Sequence, residues 1–421
     1  MGMYGNGGGP KWLWLAVMMA ILILGRMTAV NAYDGEPAYG PETAPAEAVP
    51  EASVPAEAVV PLPFGRENAK GMVLMDGRTG RVLFGVNPDE RLPMASTTKI
   101  MTALLALEQP NIDTSFVVDA AAIRVEGTSM GLTEGDSVTL RVLAGGMLLA
   151  SGNDAANAAA VYIDGSQGAF ARRMNRRAAE IGMENTSFVT PSGLDNENHY
   201  STARDMGLLA CEALKNPDFA AICASPSMKL AYGNPPYDRW LSNHNRLLRE
   251  YKDAVGVKTG FTKKSGRCLV SAASRGDILL VCVTLGAADD WNLHKRALDA
   301  GFEALTAYEP SSFLPKDLRV PVTGGTRSSV RVTGGGEALS QKLALTAEEA
   351  GRVEVSARLS ALEYAPVEEG QIVGEAVLTL DGETLAEIPL VSRDVSPAKP
   401  REKKGLAGLW RNITKVFRER K

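Results

Sequence analysis

A stretch from Ser96 to Glu108 runs without a helix breaker until Pro110, and beyond Lys99 it is apolar almost all the way round. A helix with no polar face suits a central position, buried on several sides, rather than the surface. Ser96 and Lys99 lie three residues apart at its start, so the spacing predicts a hydroxyl and an amine on one helix face. A serine at that end has the positive pole of the helix and nearby backbone N–H groups behind it, both favourable to charge developing on oxygen.

The chain has 421 residues, enough for two domains with real cores. A net charge of -4, with basic residues concentrated only at the extreme C-terminus, argues against nucleic acid as a partner. Residues 1–32 read as an export signal. Lys11 precedes an apolar core from Trp12 to Leu24 and a small-residue site ends at Ala32. That core, ~13 residues, is short of the ~20 needed to span a bilayer. The remainder is expected outside the cytoplasm. Residues 33–63 are rich in Ala, Glu and Pro and are expected to form a solvated tether. Four irregularly spaced cysteines argue for buried thiols or at most one bridge, and three scattered histidines argue against a metal site. No cofactor is expected.

The fold class expected is α+β. Met72–Asp76 and Arg81–Phe84 read as a hairpin about Gly77–Gly80. A largely helical region follows to about Ala224, with helices near 140–149, 154–163 and 167–181. Strands return at 254–260, 268–273 and 278–283, and a helix from Trp291 to Tyr308 closes the domain. The expected result is an antiparallel sheet joining both ends of residues 64–310, with a helical subdomain inserted between. Residues 311–395 read as a small all-β domain. From Leu406 to Phe417 apolar residues follow helical spacing amid many Lys and Arg, so 396–421 reads as an amphipathic helix for an anionic membrane surface.

Ser-x-x-Lys alone is a weak signal. Two later stretches strengthen it: Ser151-Gly152-Asn153, between two helices, and Lys258-Thr259-Gly260, on a strand. With these three motifs in order, the chain resembles the penicillin-recognising serine enzymes. Among them it is most similar to the low-molecular-mass penicillin-binding proteins that are D-alanyl-D-alanine carboxypeptidases. Ser129-Met130-Gly131-Leu132, Asn185-Thr186-Ser187-Phe188, Gly193-Leu194 and His199-Tyr200-Ser201-Thr202-Ala203 carry the likeness further.

The resemblance implies a penicillin-binding, transpeptidase-like fold and a hydrolase that removes the terminal D-alanine from peptidoglycan stem peptides, with β-lactams as covalent inhibitors. Ser96 would be the nucleophile and Lys99 its base, made neutral by burial and by Lys258 as a second cation. Ser151 would pass a proton to the leaving amine. Asn153 would hold the substrate amide, and Lys258 and Thr259 its terminal carboxylate. By resemblance, the oxyanion would rest on the N–H groups of Ser96 and Phe261, with Gly260 between the strand motif and that donor. His199 is read as structural, because no spacing relation brings it to Ser96. His244 stands where some members have a group that approaches the carboxylate, and Asp154 reads as a helix-start residue. A β-lactamase is the first rival, but no Glu-x-x-Leu-Asn stretch is present. A transpeptidase shares the acyl-enzyme. A non-hydrolytic sensor or scaffold would usually lack a motif residue, and none is missing.

Overall fold

The structure is a computed structural model and describes residues 69–400. The expected export signal, the tether up to residue 63 and the amphipathic helix lie outside the described residues. Among the described residues, no helix is long and apolar enough to cross a membrane.

Strands β1 (Gly71–Asp76) and β2 (Val82–Val86) form the expected hairpin. Helix α1 (Lys99–Leu107) follows a short 3-10 turn, Ala95–Thr98. Next come the two-residue strands β3 (Phe116–Val117) and β4 (Ser137–Val138) and the helices α2 (Leu140–Leu148), α3 (Asn153–Asp164), α4 (Gln167–Ile181), α5 (Ala203–Lys215) and α6 (Pro217–Cys223). A second hairpin, β5 (Ser227–Gly233) and β6 (Pro236–Ser242), leads through the single-turn helix α7 (Leu247–Glu250) to β7 (Ala254–Thr262), β8 (Gly266–Arg275), β9 (Ile278–Leu285) and α8 (Asp290–Ala304).

The strand order β2-β1-β9-β8-β7 joins both ends of this region into one antiparallel sheet, so the inserted helices close on one of its faces. Alternation along β1 shows why. Val73 and Met75 enter the core shared with α1, whereas Met72 and Leu74 enter the core under α8. A strand covered on both faces reads as a continuous apolar run, as Met72–Met75 does. Every residue of α1 is buried, which its lack of a polar face required.

Two expectations are corrected. The closing helix stops at Ala304, and Thr306–Tyr308 form β10, paired with β13 (Leu343–Leu345). That partner lies far along the chain, so local periodicity could not show it. The hairpin β5–β6 was not anticipated: it extends a small sheet ordered β3-β4-β5-β6. β5 alternates, but in β6 the adjacent Asp238 and Arg239 interrupt the pattern, and the buried face of the hairpin is little more than Leu230, Tyr232 and Leu241.

Beyond β10 come β11 (Arg319–Thr323), β12 (Ser329–Gly334), β13, helix α9 (Ala347–Arg352), β14 (Glu354–Leu359), β15 (Glu363–Tyr364), β16 (Ile372–Leu380) and β17 (Glu383–Ser392). Apart from β13, their strands form a six-stranded sheet over its own core, including Val320, Val330, Leu378 and Ile388. One buried face gives the clean period-2 pattern that made these strands legible. Arg81 crosses to this region, donating to Ala344 O at 2.7 Å and pairing with the buried Glu349 carboxylate.

Candidate active site

The three motifs meet in one cleft of about 390 Å³, lined among others by Ser96, Ser151, Asn153, Thr259, Gly260 and Phe261. Three separate elements supply them: the turn before α1, the start of α3, and β7.

Ser96 lies in the 3-10 turn rather than in the α-helix itself. The turn is closely supported. Ala95 has φ +49°, a left-handed conformation unusual for a residue with a Cβ, and such strain persists only where neighbours over-determine it. The neighbours are visible. Thr97 Oγ1 donates to Met94 O at 2.6 Å and Thr98 Oγ1 to Ala95 O at 2.8 Å. His199 Nδ1 accepts from the Val189 N–H at 2.9 Å, which leaves the proton on Nε2 to donate to Thr98 Oγ1 at 2.8 Å. Burial first, then the charge of Lys99, lower its pKa to about 4, so the ring is neutral. His199 therefore stands two residues from Ser96, which sequence spacing could not show, and holds the turn from behind.

Gly193 closes the other side. Its φ is +83°, and a Cβ there would meet Ala95 O at 2.0 Å. Only glycine permits this approach.

Lys99 is wholly buried, and its Nζ has three partners: Ser96 Oγ at 2.9 Å, Asn153 Oδ1 at 2.6 Å and Ser192 O at 2.6 Å. Two of these can only accept. A neutral amine donates its two hydrogens to those two and keeps its lone pair for the Ser96 hydroxyl. The electrostatics agree. Burial, then Lys258, lower the Lys99 pKa well below its ordinary value, opposed by Asp154. Asn153 fixes the arrangement by donating Nδ2 to Glu126 O at 2.7 Å, which leaves Oδ1 for the lysine. Both ends of this amide, expected to hold the substrate, are engaged within the protein.

Lys258 is equally buried, and burial lowers its pKa to about 7. Its Nζ reaches Ser151 Oγ at 3.0 Å and Thr259 O at 2.7 Å. Neither lysine lines the cleft; each sits beneath a serine that does. Ser151, like Ala95, is held at positive φ, +60°. At Gly260 a Cβ would stand 3.1 Å from the backbone nitrogens of Ser96 and Thr97, so the bare strand can close on the turn.

Asp154 does more than begin a helix. Its carboxylate, 1% exposed, accepts from the Met130, Gly131 and Leu132 N–H groups at 2.9, 3.1 and 3.0 Å, from Ser129 Oγ at 2.6 Å and from the Ala155 N–H at 2.9 Å. On the carbonyl side, Tyr232 Oη donates to Met130 O at 2.7 Å and Arg239 to Gly131 O at 2.8 Å. The segment so held continues into Gly127 and Thr128, which wall the cleft. The Ser129-Met130-Gly131-Leu132 stretch stands out in the sequence, but its tie to Asp154 joins segments that no local pattern connects. His244 lines the cleft beside Trp291 and Arg267. All four cysteines are buried and free.

Comparison with known proteins assigns this geometry. Residues 58–289, more than half of the chain, match the pattern of D-alanyl-D-alanine carboxypeptidases. The chain belongs to that family. Residues 308–395 match the C-terminal domain of penicillin-binding protein 5. D-alanyl-D-alanine carboxypeptidase DacF of Bacillus subtilis is 34% identical over 77% of this chain and 85% of its own. DacC of Escherichia coli is 33% identical over 77% and 83%. The crystal structure of penicillin-binding protein 5 from Haemophilus influenzae superposes with a TM-score of 0.60 at 28% identity, covering 78% of this chain and 98% of that one. The carboxypeptidase is a low-molecular-mass penicillin-binding protein and a serine hydrolase, as the three motifs implied.

Proposed function

We propose that Ser96 is the nucleophile and the neutral Lys99 its general base in removal of the terminal D-alanine from peptidoglycan stem peptides. The observation that carries this is the three-partner geometry of Lys99, in which two fixed acceptors leave one lone pair and one hydroxyl facing each other. Lys99 takes the proton as Ser96 Oγ attacks the carbonyl carbon of the scissile amide. The N–H groups of Ser96 and Phe261 receive the oxyanion. Ser151, in contact with Lys258, delivers its proton to the departing D-alanine amine and is reprotonated at the expense of the Lys99 ammonium, which restores the neutral amine. Water then attacks the acyl-serine, with Lys99 again the base. Lys258, behind Thr259, supplies positive potential for the terminal carboxylate and the Thr259 hydroxyl a donor to it, while Asn153 keeps Lys99 in place. A β-lactam would acylate the same oxygen.

The placement follows from the termini. An export signal at 1–32, a tether at 33–63, a peptidase domain at 64–310, a β domain at 311–395 and a basic amphipathic tail at 396–421 would put the cleft on the outer face of the cytoplasmic membrane, with the tail on anionic lipid.

The test uses the chain from Tyr33 onward, a peptide ending in D-Ala-D-Ala, and measurement of free D-alanine. Wild type releases it; Ser96→Ala neither releases it nor is acylated by penicillin, and Lys99→Ala loses mainly acylation. Acylation by penicillin without release of D-alanine would overturn the hydrolytic reading in favour of a binding protein.

A further inference from the structure

The six-stranded sheet carries a row of like charges. Arg319 on β11 is the register partner of Arg331 on β12, and the Arg393 N–H, one residue past the end of β17, bonds to Arg331 O at 2.8 Å, which extends the row to a third segment. All three side chains are on the exposed face, since Val320, Val330 and Val332 beside them point into the core. Like charges directly opposite in a sheet are destabilising. Only Arg331 is relieved, by Asp394 at 2.8 Å. Among the described residues, no acid pairs with Arg319, Arg393 or the nearby Lys316. The three arginines and Lys316 line one concavity of about 210 Å³, in which Asp317 is the sole acid. With Asp394 and Asp317 set against four cations, two positive charges remain.

We propose that this concavity binds a phosphate group. One carboxylate engages one guanidinium fork, whereas a tetrahedral dianion offers oxygens to several forks at once and matches the two uncompensated charges. The unfavourable row is then explained as a local cost retained for a ligand. The source is a soluble or polymeric phosphate rather than a lipid headgroup. The chain leaves this sheet at Lys399, whose N–H bonds to Gly324 O in the turn after β11, while the arginine row lies at the other end of that strand. At ~3.3 Å per residue the separation is roughly 16 Å. This part rests on the proposed membrane contact of the tail.

Titration of the full chain with inorganic phosphate, against chloride at matched ionic strength, tests the site. Wild type should bind phosphate saturably and Arg319→Ala/Arg393→Ala about tenfold more weakly or not at all, as expected for loss of charge-assisted bonds. Arg331 is left intact, because its removal would strand Asp394. Without phosphate the double variant should unfold at the same temperature as wild type or higher, having lost a repulsion; a lower midpoint would make the arginines structural and overturn the site. Equal phosphate affinity in the two proteins, or an equal response to chloride, would overturn it as well. Vesicles of phosphatidylglycerol in phosphatidylcholine should bind both proteins alike. Loss of vesicle binding in the double variant would move the ligand to the lipid. Release of D-alanine from a soluble peptide should be unchanged, and its absence from both proteins would count against the hydrolytic reading alone.

Discussion

Replacing Asp154 by Asn removes one charge and almost no volume, so its consequences trace to hydrogen bonds and field. One carboxylate oxygen accepts from the Met130 and Ala155 N–H groups, the other from Ser129 Oγ and the Gly131 and Leu132 N–H groups. Whichever way the new amide is turned, its NH2 faces at least two backbone donors. Bonds to a charged group contribute about 1.5–3 kcal/mol each, so the 129–132 segment loses about 1.5–6 kcal/mol of local order, one or two bonds according to which way the amide is turned. Exchange of the Met130, Gly131 and Leu132 amides should accelerate by about 10-fold or more, as local opening becomes easier. Acylation should fall with it, because Gly127 and Thr128 wall the cleft. The pH profile should change in a way a loosened wall alone would not produce. Asp154 raises the Lys99 pKa. Without that charge Lys99 loses its proton at lower pH, so the acid limb of kcat/KM for peptide should move downward even as the plateau drops. Wild-type amide exchange with an unmoved limb would refute the argument.

Three other outcomes follow from neighbouring features. Gly193→Ala places a Cβ 2.0 Å from Ala95 O, so acylation by labelled penicillin should fall by more than about 100-fold while far-UV circular dichroism is retained. His294, buried between Ser271 Oγ and Thr284 Oγ1, has its pKa lowered to about 3 by burial. The unfolded chain binds this proton near pH 6.5 and the folded chain does not, so stability is full above that value and falls as pH drops toward 3. Urea titrations at pH 7.5 and 5 should show about 2 kcal/mol lost from this residue, a loss absent in His294→Gln relative to its own pH 7.5 value. Glu349→Gln breaks the buried pair with Arg81 and weakens the capping bonds to Thr346, at a cost of about 3 kcal/mol. Calorimetry should show the midpoint fall, or one transition become two.

What the sequence disclosed depended on whether the constraint was local. The one-sided strands of the C-terminal sheet and the two-sided Met72–Met75 strand each carry their burial in their own pattern, and α4 shows its buried stripe, Phe170, Met174 and Ala178, at helical spacing. The site residues were legible through motif and resemblance, but not the links between them. That Asn153 anchors Lys99, that His199 supports the nucleophile turn and that Asp154 gathers four groups from residues 129–132 are contacts between segments distant in sequence. Neither periodicity nor composition encodes them. The β5–β6 hairpin escaped for a different reason: its buried face is thin, and β6 does not continue the alternation that β5 shows.

The ladder between β10 and β13 gives the molecule a mechanical property. The chain passes once from the first sheet to the second, and this ladder returns a second attachment alongside it, reinforced by Arg81 on Glu349 and Lys342 on Asp277 and Glu309. Two parallel tethers resist twisting where one would act as a swivel. The mouth of the cleft consequently keeps a constant heading relative to Lys399, near the end of the described chain, and the C-terminal sheet works as a rigid mast rather than a leash.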